Sequence, residues 1–170
     1  TSILLYPINA YKSIYTVIKF KFRREKMIGI IVTGHGNFAS GLTSSVELVI
    51  GAQEHYFAVD FDGVISLDEL STNIETAIKQ LSDCEQIFIF TDLLGGSPFR
   101  QSALATLNHQ NISVFAGTNL PMLVECLMSR NYVDDIEQYA NNLVELAKNQ
   151  IIKYETIKTE AKTNEVEEGI

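Results

Sequence analysis

Apolar positions along this chain change period several times, and each change marks a new element. Ile28 to Val32 is apolar apart from Gly29 and predicts a short buried strand that runs into Gly34-His35-Gly36. Asn37 is placed to cap a helix in which Phe38, Leu42, Val46, Val49 and Ile50 recur at helical spacing, and Gly51 stops it. His55–Phe61 reads as a second strand. Ser66 and Glu69 form a capping box that opens a helix with the stripe Leu70, Ile74, Ala77, Ile78 and Leu81. Gln86–Thr91 has no polar alternation, so it is expected to be buried on both faces, as parallel strands are.

The second half repeats the theme. Asp92 to Pro98 is a loop, with Ser97 and Pro98 as N-cap and first-turn residues of a helix to about Asn108. Ile112–Ala116 is a fourth strand, and Gly117 to Pro121 a second glycine-containing loop. A helix follows from Pro121 through Leu127 and another covers about Val133–Lys148, with Ile136, Tyr139, Leu143 and Ala147 inward. Ile151–Ile157 is a candidate last strand. Strands alternating with helices predict a doubly wound α/β domain. Its sheet is mainly parallel, of order 2-1-3-4, with helices on both faces.

That domain is expected over residues 27–157, followed by a mobile acidic tail at 158–170. The first 26 residues mix apolar side chains with Asn9, Lys12 and Lys19 and end in Arg23-Arg24-Glu25-Lys26. A secretory leader puts its charges first. The stretch is therefore expected to be a non-native or disordered extension, with Met27 the authentic start.

Composition narrows the function. The 170 residues are 46% hydrophobic and 20% charged, ordinary for one globular domain, and the formal net charge of −8 argues against nucleic acid. Cys84 and Cys126 form no C-x-x-C pair, which favours a reducing cytoplasm over a disulfide framework. No metal site is expected from the spacing of His, Cys and acids.

Chemistry concentrates at three loops. In open parallel sheets, sites form beyond the carboxyl ends of the strands, where strand order reverses. Order 2-1-3-4 puts His35 and Asp92 face to face across that point. A carboxylate bonded to one ring nitrogen leaves the lone pair of the other free to attack phosphorus. A phosphoryl group there needs donors. The N–H groups of Gly95 and Gly96, the Ser97 hydroxyl and the following helix N-terminus are placed to supply them. Asn119 is expected to organise the third loop. His55 and His109 are expected to be structural, since a lone histidine at an element's end needs no other explanation.

Three motifs, G-I-I-V-T-G-H-G, T-D-L-L-G-G-S-P-F and G-T-N-L-P-M-L-V-E, stand in this order from Gly29 onward. With them the chain resembles the IIA component of the mannose-type (mannose–fructose–sorbose) family of the bacterial sugar phosphotransferase system, over roughly Met27 to Ile151. The resemblance implies a cytoplasmic phosphotransferase enzyme without a cofactor beyond the covalent phosphoryl group. It implies that His35 takes phosphate from phospho-HPr and passes it to a IIB component, which serves the membrane IIC and IID proteins. Asp92 would match the family's orienting acid and Ser97 its hydroxyl near the phosphate. It also implies a homodimer, with Ile151–Ile157 as the candidate exchanged strand. Many members carry an aromatic residue at the position of Leu94, and some fuse IIB to the same chain; here IIB is expected to be separate. Two other readings remain: the phosphotransfer subunit of a dihydroxyacetone kinase, and a regulatory phospho-acceptor module. A metal-dependent hydrolase using His35 and Asp92 ranks last, because no second ligand cluster accompanies them.

Overall fold

The computed structural model describes residues 27–155. Four strands form one sheet: β1 (Ile28–His35), β2 (Tyr56–Phe61), β3 (Gln86–Thr91) and β4 (Ile112–Phe115). Their order is β2-β1-β3-β4 and every pairing is parallel, as expected from the alternation of strands and helices. Five α-helices connect and cover them: α1 (Phe38–Ile50), α2 (Leu67–Gln80), α3 (Ser97–Ala105), α4 (Leu120–Ser129) and α5 (Ile136–Asn149). A single 3-10 turn, Arg130–Tyr132, follows α4.

The period of two along the central strands decides which helices sit on which face. Ile28, Ile30, Val32, Phe88 and Phe90 pack with Ala39 and Val46 of α1, Met122, Leu123, Cys126 and Leu127 of α4, and Leu143 and Ala147 of α5. Ile31, Ile87 and Ile89 point the other way, against Leu70, Ile74, Ala77 and Ile78 of α2 and Ala105 of α3. Both faces are therefore covered, and β3 is buried from Ile87 to Thr91. Each Ile or Phe removed from water here contributes about 1.5–3 kcal/mol before entropy is charged against it. Phe88, Phe90 and Phe115 lie ring to ring, with centroids 4.8 to 6.3 Å apart.

A buried cation closes the amino end of the sheet. Arg130 donates to the carbonyls of Ile28 at 2.9 Å, Glu54 at 2.7 Å and His55 at 3.4 Å. The fork geometry of guanidinium lets one side chain reach three main-chain acceptors, of which the His55 carbonyl also accepts from the Ile30 N–H.

Several boundaries differ from the sequence reading. β1 continues three residues past Val32, because Gly34 and His35 still pair with Asp60 and Phe61 of β2. The helix expected from Val133 begins at Ile136, where Asp135 caps it by accepting from the Gln138 N–H at 3.0 Å. Asn37 makes no side-chain cap; the exposed Ser40 N–H is met instead by Asp60 at 3.0 Å. The capping box of Ser66 and Glu69 is formed as expected, with both reciprocal bonds.

The expected C-terminal strand is not formed among the described residues of the single chain. Residues 151–155 have no regular structure, and Ile151, Ile152 and Tyr154 are exposed. A strand needs a neighbouring ladder, and residues 151–155 pair with none of the four strands. The last two positions of the expected strand, the extension 1–26 and the tail 158–170 lie outside the described residues. No helix among the described residues is long and apolar enough to cross a membrane.

Candidate active site

β1 and β3 are neighbours, while their following connections go to opposite sides of the sheet. Their carboxyl ends therefore frame the switch point. His35 is the last residue of β1, and Asp92 follows Thr91, the last residue of β3. The Asp92 Oδ2 lies 2.8 Å from His35 Nδ1 and accepts the His35 main-chain N–H at 2.8 Å. Its other oxygen accepts the Leu93 N–H at 2.7 Å.

This arrangement sets the protonation pattern. Burial opposes the Asp92 charge, but the bonds from the His35 N–H, the His35 ring and the Leu93 N–H outweigh it and hold the carboxyl below its usual range. An ionised carboxylate only accepts, so in the neutral imidazole Nδ1 carries the proton and Nε2 keeps its lone pair. The His35 side chain is 43% exposed and that of Asp92 only 17%. The acid is thus held in the protein while the ring faces outward.

Two contacts fix the ring's plane. Phe61, at the end of β2, meets it edge-on with centroids 5.9 Å apart. On the loop after β3, a Cβ added at Gly96 would lie 2.7 Å from the ring's Cε1. Gly96 has φ −67°, which any residue adopts, so the glycine is required here by close approach. Gly95 is the opposite case: φ is +76° and nothing crowds it, so the turn itself requires the glycine.

The expected donors divide. The Gly96 N–H is already committed to the Leu93 carbonyl at 3.0 Å. For the Gly95 N–H and the Ser97 hydroxyl, no partner occurs among the described residues. Ser97 is the first residue of α3 and Gly96 is its N-cap, one position earlier than the sequence suggested, so Ser97 supplies no cap bond. Pro98 follows in the first turn, where its missing N–H costs nothing.

The third loop reaches the site through its backbone. Gly117 N–H donates to the Asp92 carbonyl at 2.8 Å. Asn119 caps α4 by accepting from the Met122 N–H and ties its amide to the Ala147 carbonyl. It organises the loop, as expected. His109 pairs with Glu75 at 3.1 Å and His55 faces Asp83 at 3.4 Å; neither nears His35. Phe61 and the close approach of Gly96 were missed in the sequence. An aromatic at a strand end and a glycine in a pair carry no signal for a ring contact.

The ring is partly exposed, and Leu93 and Leu94, which follow Asp92 in the chain, are exposed too. A groove of 410 Å³ lies elsewhere, lined by Tyr132, Tyr139, Leu143 and Leu146. A small molecule is ordinarily held in a concave site; an exposed nucleophile suits a protein partner.

Fold and site together define a doubly wound α/β protein with an oriented surface histidine at its switch point. Residues 29–144 match the family described as PTS system fructose IIA component, and the chain belongs to that family. It is an EIIA phosphoryl carrier of sugar uptake, and membership implies HPr and IIB as partners. It is 29% identical over 117 residues to the fructose-specific EIIA component of Bacillus subtilis, covering 69% of this chain and 80% of that protein. The sorbose-specific EIIA component of Lacticaseibacillus casei is 30% identical over 117 residues, 69% of this chain and 83% of its own. The mannose-specific EIIAB component of Escherichia coli is 31% identical over 104 residues, which span only 32% of that longer protein. Among solved structures, the phosphotransferase system component EIIA of Streptococcus agalactiae superposes with TM-score 0.69 at 31% identity, covering 75% of this chain and 97% of that one.

Proposed function

We propose that His35 is the phosphoryl acceptor and that Nε2 is the bonding atom. The observation that carries this is the Asp92 Oδ2 to Nδ1 contact of 2.8 Å on a ring that remains 43% exposed. The Nε2 lone pair attacks the phosphorus of phospho-HPr. The donor's P–N bond breaks, and its electron pair stays with the donor nitrogen. The Nδ1 proton stays in its hydrogen bond, and the Asp92 carboxylate balances the positive charge that the ring gains. The Gly95 N–H, the Ser97 N–H and hydroxyl and the positive end of α3 offer donors for the phosphoryl oxygens. The Gly96 N–H serves the turn that shapes this loop. Attack by the IIB acceptor reverses the sequence and restores the free imidazole.

Leu93 and Leu94 give the partner an apolar contact beside the ring, where family members of the aromatic type present a larger surface. The chain acts in the cytoplasm, where HPr delivers phosphate. It acts as a homodimer in which Ile151–Ile157 of one copy lies along the free edge of β4 of the other. Two features support this: β4 ends the sheet with one edge unpaired, and Ile151, Ile152 and Tyr154 are exposed. The sugar follows from partners further along the chain of transfer.

The test is labelling from phosphoenolpyruvate with enzyme I and HPr. Wild-type chain should take up one acid-labile, base-stable phosphoryl group, and His35→Ala should take up none. Undiminished labelling of His35→Ala would refute the assignment.

A further inference from the structure

Another cluster of donor atoms lies at the amino end of the sheet, opposite His35. His55 immediately precedes β2, and Asp83 and Cys84 lie in the turn between α2 and β3. His55 Nε2 is 3.4 Å from Asp83 Oδ2, and Cys84 Sγ is 4.0 Å from Asp83 Oδ1. One ligand atom from each of the three lies within 4.8 Å of the others. Phosphoryl transfer uses none of them.

Independent features hold this cluster in place. His55 has φ +51°, in the left-handed region that residues other than glycine visit uncommonly, histidine more readily than most. The backbone is pinned there, because the His55 carbonyl accepts from the Ile30 N–H at 2.8 Å and from Arg130 at 3.4 Å. Gly29 makes room for the sulfur: a Cβ there would sit 3.0 Å from Cys84 Sγ. Cys84 is 5% exposed, whereas the Asp83 side chain is 68% exposed. An ion would therefore enter past the carboxylate and be held from within by sulfur.

We propose that His55, Asp83 and Cys84 bind one borderline-soft divalent transition-metal ion, of which zinc is the type. Tetrahedral zinc holds N, O and S ligands about 2.0–2.3 Å away, which puts the ligand atoms roughly 3.3–3.8 Å apart. The His55–Asp83 separation already meets this, and closing on sulfur needs the exposed Asp83 and the partly exposed His55 side chains both to move inward. Water completes the shell. Thiolate and imidazole exclude magnesium and calcium, which take oxygen ligands. Burial and the Asp83 carboxylate keep the Cys84 thiol protonated in the free protein. Binding therefore releases that proton to solvent, and thiolate and carboxylate together neutralise the ion. The ion would clip the start of β2 to the α2–β3 turn, remote from the phosphoryl site.

Residue spacing hides this cluster, because the imidazole and the Asp83-Cys84 pair come from separate connections. The test is titration of the full chain with Co²⁺, followed by displacement with Zn²⁺. One equivalent of Co²⁺ should give an intense thiolate-to-metal band with tetrahedral d–d absorption, and Zn²⁺ should abolish both. Cys84→Ser should lose the thiolate band. Asp83→Asn, and His55→Asn, which keeps a residue tolerant of positive φ, should each weaken Zn²⁺ binding by about 10-fold or more. His35→Ala should leave it unchanged. Absence of the thiolate band at saturating Co²⁺ would overturn the proposal. So would Zn²⁺ affinity that neither Asp83→Asn nor His55→Asn alters, whether or not Cys84→Ser folds.

Discussion

One oxygen of Asp92 holds His35 twice, by the main-chain N–H and by ring Nδ1, each at 2.8 Å. The same contact that ends β1 in the right place also chooses the tautomer. Position and reactivity of the ring are therefore not separable by moving Asp92, but they are separable by changing its charge.

Asp92→Asn keeps an oxygen for the His35 N–H and so should preserve the fold. That oxygen stands where Oδ2 did and still accepts from Nδ1, so the tautomer is kept, but the negative charge that balances the ring during transfer is gone. Transfer from phospho-HPr should fall by about 100-fold or more, the scale of a lost electrostatic stabiliser. Rapid-quench kinetics would check this, with thermal unfolding as the control. A variant that transfers at the wild-type rate would show that the Asp92 charge does not assist the transfer.

Acid titration reads the same contact through stability. The Asp92 carboxyl is held below its unfolded value, which is about 3.9. Its contribution is then complete above that value and is lost as pH falls through the lower, folded one. Denaturation midpoints of wild type should exceed those of Asp92→Asn at pH 6, and the gap should narrow in the acid range below pH 4. A gap that widens on acidification would mean the sign is wrong.

Gly96→Ala and Gly95→Ala should separate close approach from backbone conformation. At Gly96 the backbone tolerates alanine, but the new methyl meets the ring at 2.7 Å and must push it aside. Transfer should drop by roughly 100-fold, as displacements near 1 Å can cause, with little change in melting temperature. At Gly95 the φ of +76° makes alanine strained at a cost of about 1–2 kcal/mol, so stability should suffer first. Unfolding curves set beside transfer rates for the two variants would reveal a reversed pattern if the contact were unimportant.

How much of this was legible beforehand depended on whether the cause was local. The both-face burial of Gln86–Thr91 and the capping box at Ser66 are written in consecutive residues, and both were found. So was the meeting of His35 and Asp92, because a 2-1-3-4 sheet leaves few places for two carboxyl-end residues to go. Ser97 was read one position off. The turn closed by Leu93 and Gly96 starts α3 at serine, and serine's preference for caps hides that shift. Arg130 was not noticed at all. A charged residue is ordinarily on the surface, and carbonyls far away in the chain, at the start of β1 and in the loop before β2, are needed to explain it inside.

The proposed homodimer has its own test. Among the described residues Ile151 and Ile152 pair with no strand, and the proposal supplies one from a second copy. Sedimentation equilibrium should give a dimer for the full chain and a monomer for Ile151→Lys combined with Ile152→Lys. A monomeric wild type, or a dimer indifferent to the two charges, would remove the exchanged strand.

The most direct measurement is a long-range ¹H–¹⁵N correlation spectrum of histidine-labelled protein, before and after phosphorylation by enzyme I and HPr. His35 should begin as the Nδ1-protonated tautomer and end with phosphorus on Nε2, its Nδ1 proton retained, while His55 and His109 stay unmodified. Phosphorus bonded to Nδ1, or to either of the other two histidines, would contradict the account.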